Sequence, residues 1–159
     1  MNYDLLLKGG HVIDPKNSVD EAQDVAISKG KIAAVDAAIP VDQAAQVIDM
    51  TGLYVMPGLV DIHTHMFASS GIRNSWAGDK SILPDGFSFR SGVTTMVDTG
   101  SAGWRYFEDF RYRVIDRFDT RKFAFLNIVG AGMVANDLEQ NQADMDVDRA
   151  VAMGKEHSD

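Results

Sequence analysis

Short apolar runs separated by glycine-containing turns fill the first third of the chain, and longer apolar runs alternate with amphipathic stretches in the rest. Residues 4–8 and 11–14 are short, mainly apolar runs on either side of Gly9-Gly10, a pattern that predicts a first hairpin. Residues 24–28 and 31–35 repeat it around Lys29-Gly30, and residues 46–50 and 53–56 form a third pair around Thr51-Gly52. Strands this short supply a thin core, so residues 1–56 read as a small N-terminal β-sandwich portion.

The period changes at residue 57. Pro57-Gly58 is a turn signal, and the run from Leu59 to His65 reads as a strand. An irregular stretch, 66–82, follows it, longer than an ordinary connection. Residues 83–91 read as a short helix, with Pro84 at its tolerated start and Gly92 past its end. A β-branched second strand is expected over 93–98, then a loop at 99–101 in which Ser101 serves as a helix N-cap. Trp104, Phe107, Arg111, Val114, Ile115 and Phe118 recur at spacings of three and four, one stripe of an amphipathic helix whose aromatic residues belong to the core. A third strand over 123–129 and a helix over 147–157 complete the pattern. Alternating strand and helix means parallel βα units. The fold class is therefore α/β: the sandwich portion, then over 57–159 the first three βα units of an incomplete TIM (β/α)8 barrel. Such a barrel typically takes about 250 residues, and three strands do not close it.

Composition narrows the partners. A 45% hydrophobic and 24% charged chain is globular rather than disordered, and a net charge of −8 argues against nucleic acid or an anionic membrane. The absence of cysteine excludes disulfides and thiolate chemistry and fits a cytoplasmic protein. The first eight residues are too acidic and too short in apolar run for a signal peptide, and no apolar run approaches the ~20 residues of a membrane span. A small-molecule substrate is the expected partner, with self-association left open.

Chemistry concentrates on the first strand of the second part. Strand periodicity points Asp61, His63 and His65 one way and Val60, Ile62 and Thr64 the other, where helices would cover them. Imidazoles at i and i+2 stand about 7 Å apart at Cα, close enough for both rings to reach one cation at roughly 2.0–2.1 Å if it is zinc. The chain has only four histidines, and two are here.

Pro57-Gly58-Leu59-Val60-Asp61-Ile62-His63-Thr64-His65, with the stretches at 8–15 and 91–98, resembles the amidohydrolase superfamily, specifically its deacetylase and dihydroorotase-like branch. The resemblance implies that His63 and His65 bind a divalent metal, zinc foremost, with one or two ions in the complete enzyme. It implies hydrolysis of an amide or related ester by metal-activated water. It also implies a carboxylated lysine, two further histidines and an aspartate on the fourth, fifth, sixth and eighth barrel strands, none of which is expected here. The chain is thus expected to be the N-terminal part of a larger hydrolase, inactive alone; the alternative is an inactive truncated hydrolase fold acting as a binding or scaffold protein. An open barrel edge predicts poor solubility, self-association or a partly molten state.

Other candidates carry two readings each. Asp61 either ligates directly or orients a histidine or a nearby backbone group. Asp98, at the end of the second strand, either faces substrate or accepts the amides of the turn after it. Arg73 either clamps a substrate carboxylate or is an exposed loop arginine. Lys155 and His157 lie in the last helix, ahead of any fourth strand, and read as surface residues. His11 reads as a solvated strand residue, and the carboxylates between 139 and 148 as a solvated, helix-capping face.

Overall fold

The computed structural model describes residues 2–134 and 140–158, so Glu139 lies outside the described residues. The chain divides into two compact units, 1–57 and 58–159.

The N-terminal unit is one five-stranded mixed sheet. β1 (Tyr3–Asp14) pairs antiparallel with β2 (Val19–Ser28), which pairs antiparallel with β3 (Lys31–Asp36). β4 (Ala44–Asp49) and the two-residue β5 (Tyr54–Val55) both run parallel to β1. Two expected hairpins are therefore corrected. Gly9-Gly10 is not a turn; β1 passes straight through it, and the register shift against β2 falls between Leu7 and Gly10. Gly9 takes φ +72°, a left-handed conformation that absorbs a β-bulge without bending the strand back. The turn lies further on, around Pro15 to Ser18. The third expected pair fails because β4 and β5 each bond to β1, not to one another. The hairpin at Lys29-Gly30 forms, with both residues at positive φ as its tight turn requires. The core beneath is small: Leu6, Ala26, Ile39 and Ala44. Buried Asp24 ties it, accepting from the Gly9 and Ile39 N–H groups at 2.8 Å each and from Lys8 Nζ at 2.5 Å.

The second unit has a three-stranded, all-parallel sheet in the order β6 (Leu59–Thr64), β7 (Val93–Gly103), β8 (Arg121–Asn127). Helix α1 (Pro84–Ser88) closes in a tighter turn over Phe89–Ser91, and Gly92 ends it in the left-handed region. Helix α2 (Phe107–Phe110) runs on into a wider turn over Arg111–Ile115. Helix α3 (Val147–Glu156) is capped by the Asp146 side chain, which accepts from the Arg149 N–H. Met66, Phe67, Ala77, Met96, Phe107, Phe110 and Val114 form the core here.

Four expectations change in this unit. β7 continues to Gly103 instead of stopping at Asp98, so residues 99–101 are strand and Ser101 caps no helix. The helix after it starts three residues later than the stripe suggested, and Trp104 leaves the core. Its partly exposed ring is approached by the guanidinium groups of Arg105 and Arg149, 4.9 and 4.7 Å from the ring centre. Val60 and Ile62 are not covered by helices: among the described residues they are 58% and 72% exposed. Asp144 is also no freely solvated carboxylate, since it pairs with Arg105 and accepts from the Ala131 N–H at 2.9 Å. Among the described residues no helix is long and apolar enough to cross a membrane.

Candidate functional site

β6 delivers the histidine pair. Between Asp61, opposite Met96, and Thr64, opposite Asp98, it carries one extra residue relative to β7. Such a bulge breaks strict alternation and re-aims side chains at a sheet end. The rings of His63 and His65 sit in edge contact, centroids 5.7 Å apart and planes 75° apart. Asp61 turns back along its own strand, Oδ1 accepting from the His63 backbone N–H at 3.1 Å. His63 is exposed and His65 half-buried.

His65 is held from several sides. Its Nδ1 lies 3.0 Å from Ser101 Oγ, and its carbonyl accepts from the Ile82 N–H at 2.9 Å. Trp76 lies 4.9 Å from its ring at a 36° tilt, with Lys80 over the indole. The irregular 66–82 stretch thus folds back onto the histidine. Ser75 anchors that loop, donating from its hydroxyl to the Met133 carbonyl at 2.6 Å, and the Ala77 N–H reaches the same carbonyl at 3.1 Å.

Asp98 is fully buried beneath this layer. Oδ2 accepts from the Met66 N–H and Oδ1 from the Ser101 N–H, both at 2.7 Å. Burial pushes its carboxyl above the ordinary value, against the lowering pull of those two N–H groups, the Ser101 hydroxyl and His65. It accepts backbone amides from the residue after His65 as well as from its own strand. Arg73 is exposed in the following loop.

Two members of this arrangement were not singled out by sequence reasoning. Ser101 reads in the sequence as a helix cap, although Asp98 three residues before it is the kind of carboxylate that fastens such an N–H. Trp76 is a large aromatic in a polar loop directly after the histidines, and that contrast was the available signal.

The donor chemistry fits a divalent ion: two imidazoles in contact, one with Nδ1 engaged by a hydroxyl, the usual way a ligand histidine is oriented. A second group of metal-ligating residues lies elsewhere. Glu108, Glu156 and His157 each offer a ligand atom, all within 4.8 Å of one another, which makes a plausible cluster for a divalent cation. His157, read as a surface residue, is in fact half-buried against the Phe107 ring. Its Nδ1 accepts from Arg111 Nη1 at 2.8 Å, so the proton sits on its buried Nε2.

No family model matches the chain. It is 37% identical over 150 residues to a deacetylase of Agrobacterium fabrum, covering 91% of this chain and 35% of that protein. Its fold matches a solved dihydroorotase with a TM-score of 0.77 at 33% identity, covering 97% of this chain and 40% of the other. A solved adenine deaminase matches with a TM-score of 0.79 at 30% identity, covering 97% and 38%. The chain spans 35% of the length of the curated deacetylase. Together these similarities point broadly to the amidohydrolase superfamily.

Proposed function

We propose that the whole protein is a metal-dependent hydrolase acting on a carbon–nitrogen bond of an amide or on a related ester, with His63 and His65 as two ligands of a divalent ion, zinc foremost. The observation that carries this reading is the contact of the two imidazoles at the end of the first parallel strand, one of them oriented through Nδ1. The names of the similar proteins, a deacetylase, a dihydroorotase and an adenine deaminase, support a hydrolytic reaction at such a bond. A divalent ion bound there would supply an activated water and polarise the group under attack. The chain's own residues do the positioning. Asp61 fixes the backbone at His63, Asp98 and Ser101 fix the strand ends around His65, and Trp76 covers one side of that ring. Arg73, exposed in the loop that follows the histidines, is the proposed substrate-side cation.

The test is metal content and hydrolysis in the intact protein carrying His63→Ala and His65→Ala. Loss of bound metal together with activity is expected; full retention of both sinks the reading.

A second reading, a divalent cation at Glu108, Glu156 and His157, is favoured by their mutual approach within 4.8 Å. There the Arg111 guanidinium already occupies His157 Nδ1, so a cation must either displace it or rely on the carboxylates. Metal analysis of Glu108→Gln with Glu156→Gln separates the two: metal retained by this pair and lost from the histidine pair assigns the ion to His63 and His65.

A further inference from the structure

Ser101 stands where β7 outruns the strand that its sequence suggests, and both its polar groups are committed although the residue is fully buried. Its N–H donates to Asp98 Oδ1 at 2.7 Å, and its hydroxyl oxygen lies 3.0 Å from His65 Nδ1. A serine hydroxyl has one proton to give and two lone pairs. The hydroxyl can donate to His65 Nδ1 or accept from it, and the choice fixes the imidazole tautomer.

A buried carboxylate holds the serine in place. Asp98 acts as an acceptor at both oxygens, taking the Met66 N–H on Oδ2 and the Ser101 N–H on Oδ1. A histidine that ligates through Nε2 carries its proton on Nδ1, and Ser101 Oγ, 3.0 Å away, is placed to accept that proton with a lone pair. We infer that Ser101 is a positioning residue for His65: its buried hydroxyl accepts the Nδ1–H and so places the ring's lone pair on Nε2, the nitrogen that would ligate a divalent ion. The same carboxylate holds the residue after His65, so ring orientation and backbone are set by one buried group. Orientation of a ligand histidine through its other nitrogen is what raises its basicity and fixes its aim.

This inference rests on reading His65 as a metal ligand, and its test separates the two. In the intact, metal-free protein, long-range proton–nitrogen correlation of the His65 ring is expected to show the Nδ1–H tautomer, and Ser101→Ala is expected to lose that preference. Zinc titration against a chromophoric chelator is expected to show about 10–100-fold weaker binding in Ser101→Ala, with Ser101→Thr within a few-fold of the unsubstituted protein because it restores the hydroxyl. An Nε2–H tautomer in the unsubstituted protein overturns the inference, even if Ser101→Ala fails to fold. Unchanged zinc affinity in a folded Ser101→Ala overturns it as well. If the unsubstituted protein binds no zinc at His63 and His65, the proposed function falls, while the Nδ1–H tautomer and its loss in Ser101→Ala still uphold the Ser101–His65 relationship.

Discussion

The Met66 backbone N–H donates to Asp98 Oδ2 at 2.7 Å, which ties the residue after His65 to a buried carboxylate on the neighbouring strand. The other oxygen takes the Ser101 N–H at the same distance, so one side chain splices β6 to the far end of β7. Asparagine has nearly the same shape, but its amide nitrogen would face one of these N–H donors. Asp98→Asn should therefore lose a charge-assisted bond and oppose two donors, costing roughly 2–4 kcal/mol of unfolding free energy. Urea denaturation reads this directly, and a change within about 0.5 kcal/mol, the range of an ordinary surface substitution, would contradict it.

Close backbone approach makes a second, sharper prediction. A Cβ on Gly103 would stand 1.8 Å from the Val129 carbonyl oxygen and 2.6 Å from that of Gly130. Both obstacles are backbone and cannot rotate away, so Gly103→Ala should cost at least about 3 kcal/mol or prevent folding. Gly86, inside α1 with nothing within 4 Å of the added atom, is the control. Gly86→Ala should be neutral or stabilising by up to about 1 kcal/mol. Equal melting temperatures for the two variants would show that β7 does not approach the 129–130 backbone in this way.

How much of this was legible depended on whether a feature is local. His63 and His65 could be found because strand periodicity and a nine-residue motif lie in one continuous stretch. Pro84 and Gly92 bracketed α1 for the same reason, each acting through its own backbone dihedrals. Gly9 misled because a left-handed glycine serves a bulge as readily as a turn; only the pairing of β2 along both halves of β1 distinguishes them. Ser101 was hidden because Gly100, at φ +87°, looks like the end of a strand, whereas β8 keeps β7 paired as far as Gly103. The parallel pairing of β4 and β5 with β1 joins residues more than forty apart, and no turn signal records it. Exposure of Val60 and Ile62 is likewise a fact about neighbours, not about their own pattern.

Asp24 gives the N-terminal unit a defined acid response. Burial raises its carboxyl pKa, but the Ile39 N–H, the Lys8 ammonium and the Gly9 N–H outweigh that and hold it below the ordinary value. A carboxyl depressed in the folded state contributes stability above its unfolded pKa, about 3.9, and loses it as pH falls through the lower folded value. Stability of this unit should decline below about pH 4, where the unfolded chain begins to take up the proton that the folded one resists. Asp24→Asn should be less stable at pH 7 and flatter across the acid range. A wild-type curve no steeper than the variant's between pH 4 and 2, followed by hydrogen exchange of the Gly9 and Ile39 amides, would refute the assignment.

The last prediction concerns the face that this chain leaves uncovered. Val60 and Ile62 on β6 are 58% and 72% exposed, and Phe123 and Phe125 on β8 are 50% and 65% exposed. These strands are the two edges of the three-stranded sheet, so apolar side chains and unpaired backbone groups coincide there among the described residues. Exposed strand edges carrying large apolar residues template association. The net charge of −8 opposes this only through long-range repulsion, which salt weakens within a Debye length of about 8 Å at 0.15 M. The 159-residue chain should therefore self-associate, more strongly as salt rises. Ile62→Lys with Phe125→Glu should shift it towards monomer and lower its binding of a hydrophobic dye, because each change places a charge on an edge strand without removing a core contact. Sedimentation velocity at two salt concentrations reads both effects. A monodisperse, dye-free monomer at either concentration would mean that this face is covered in solution by something other than a second copy of the chain.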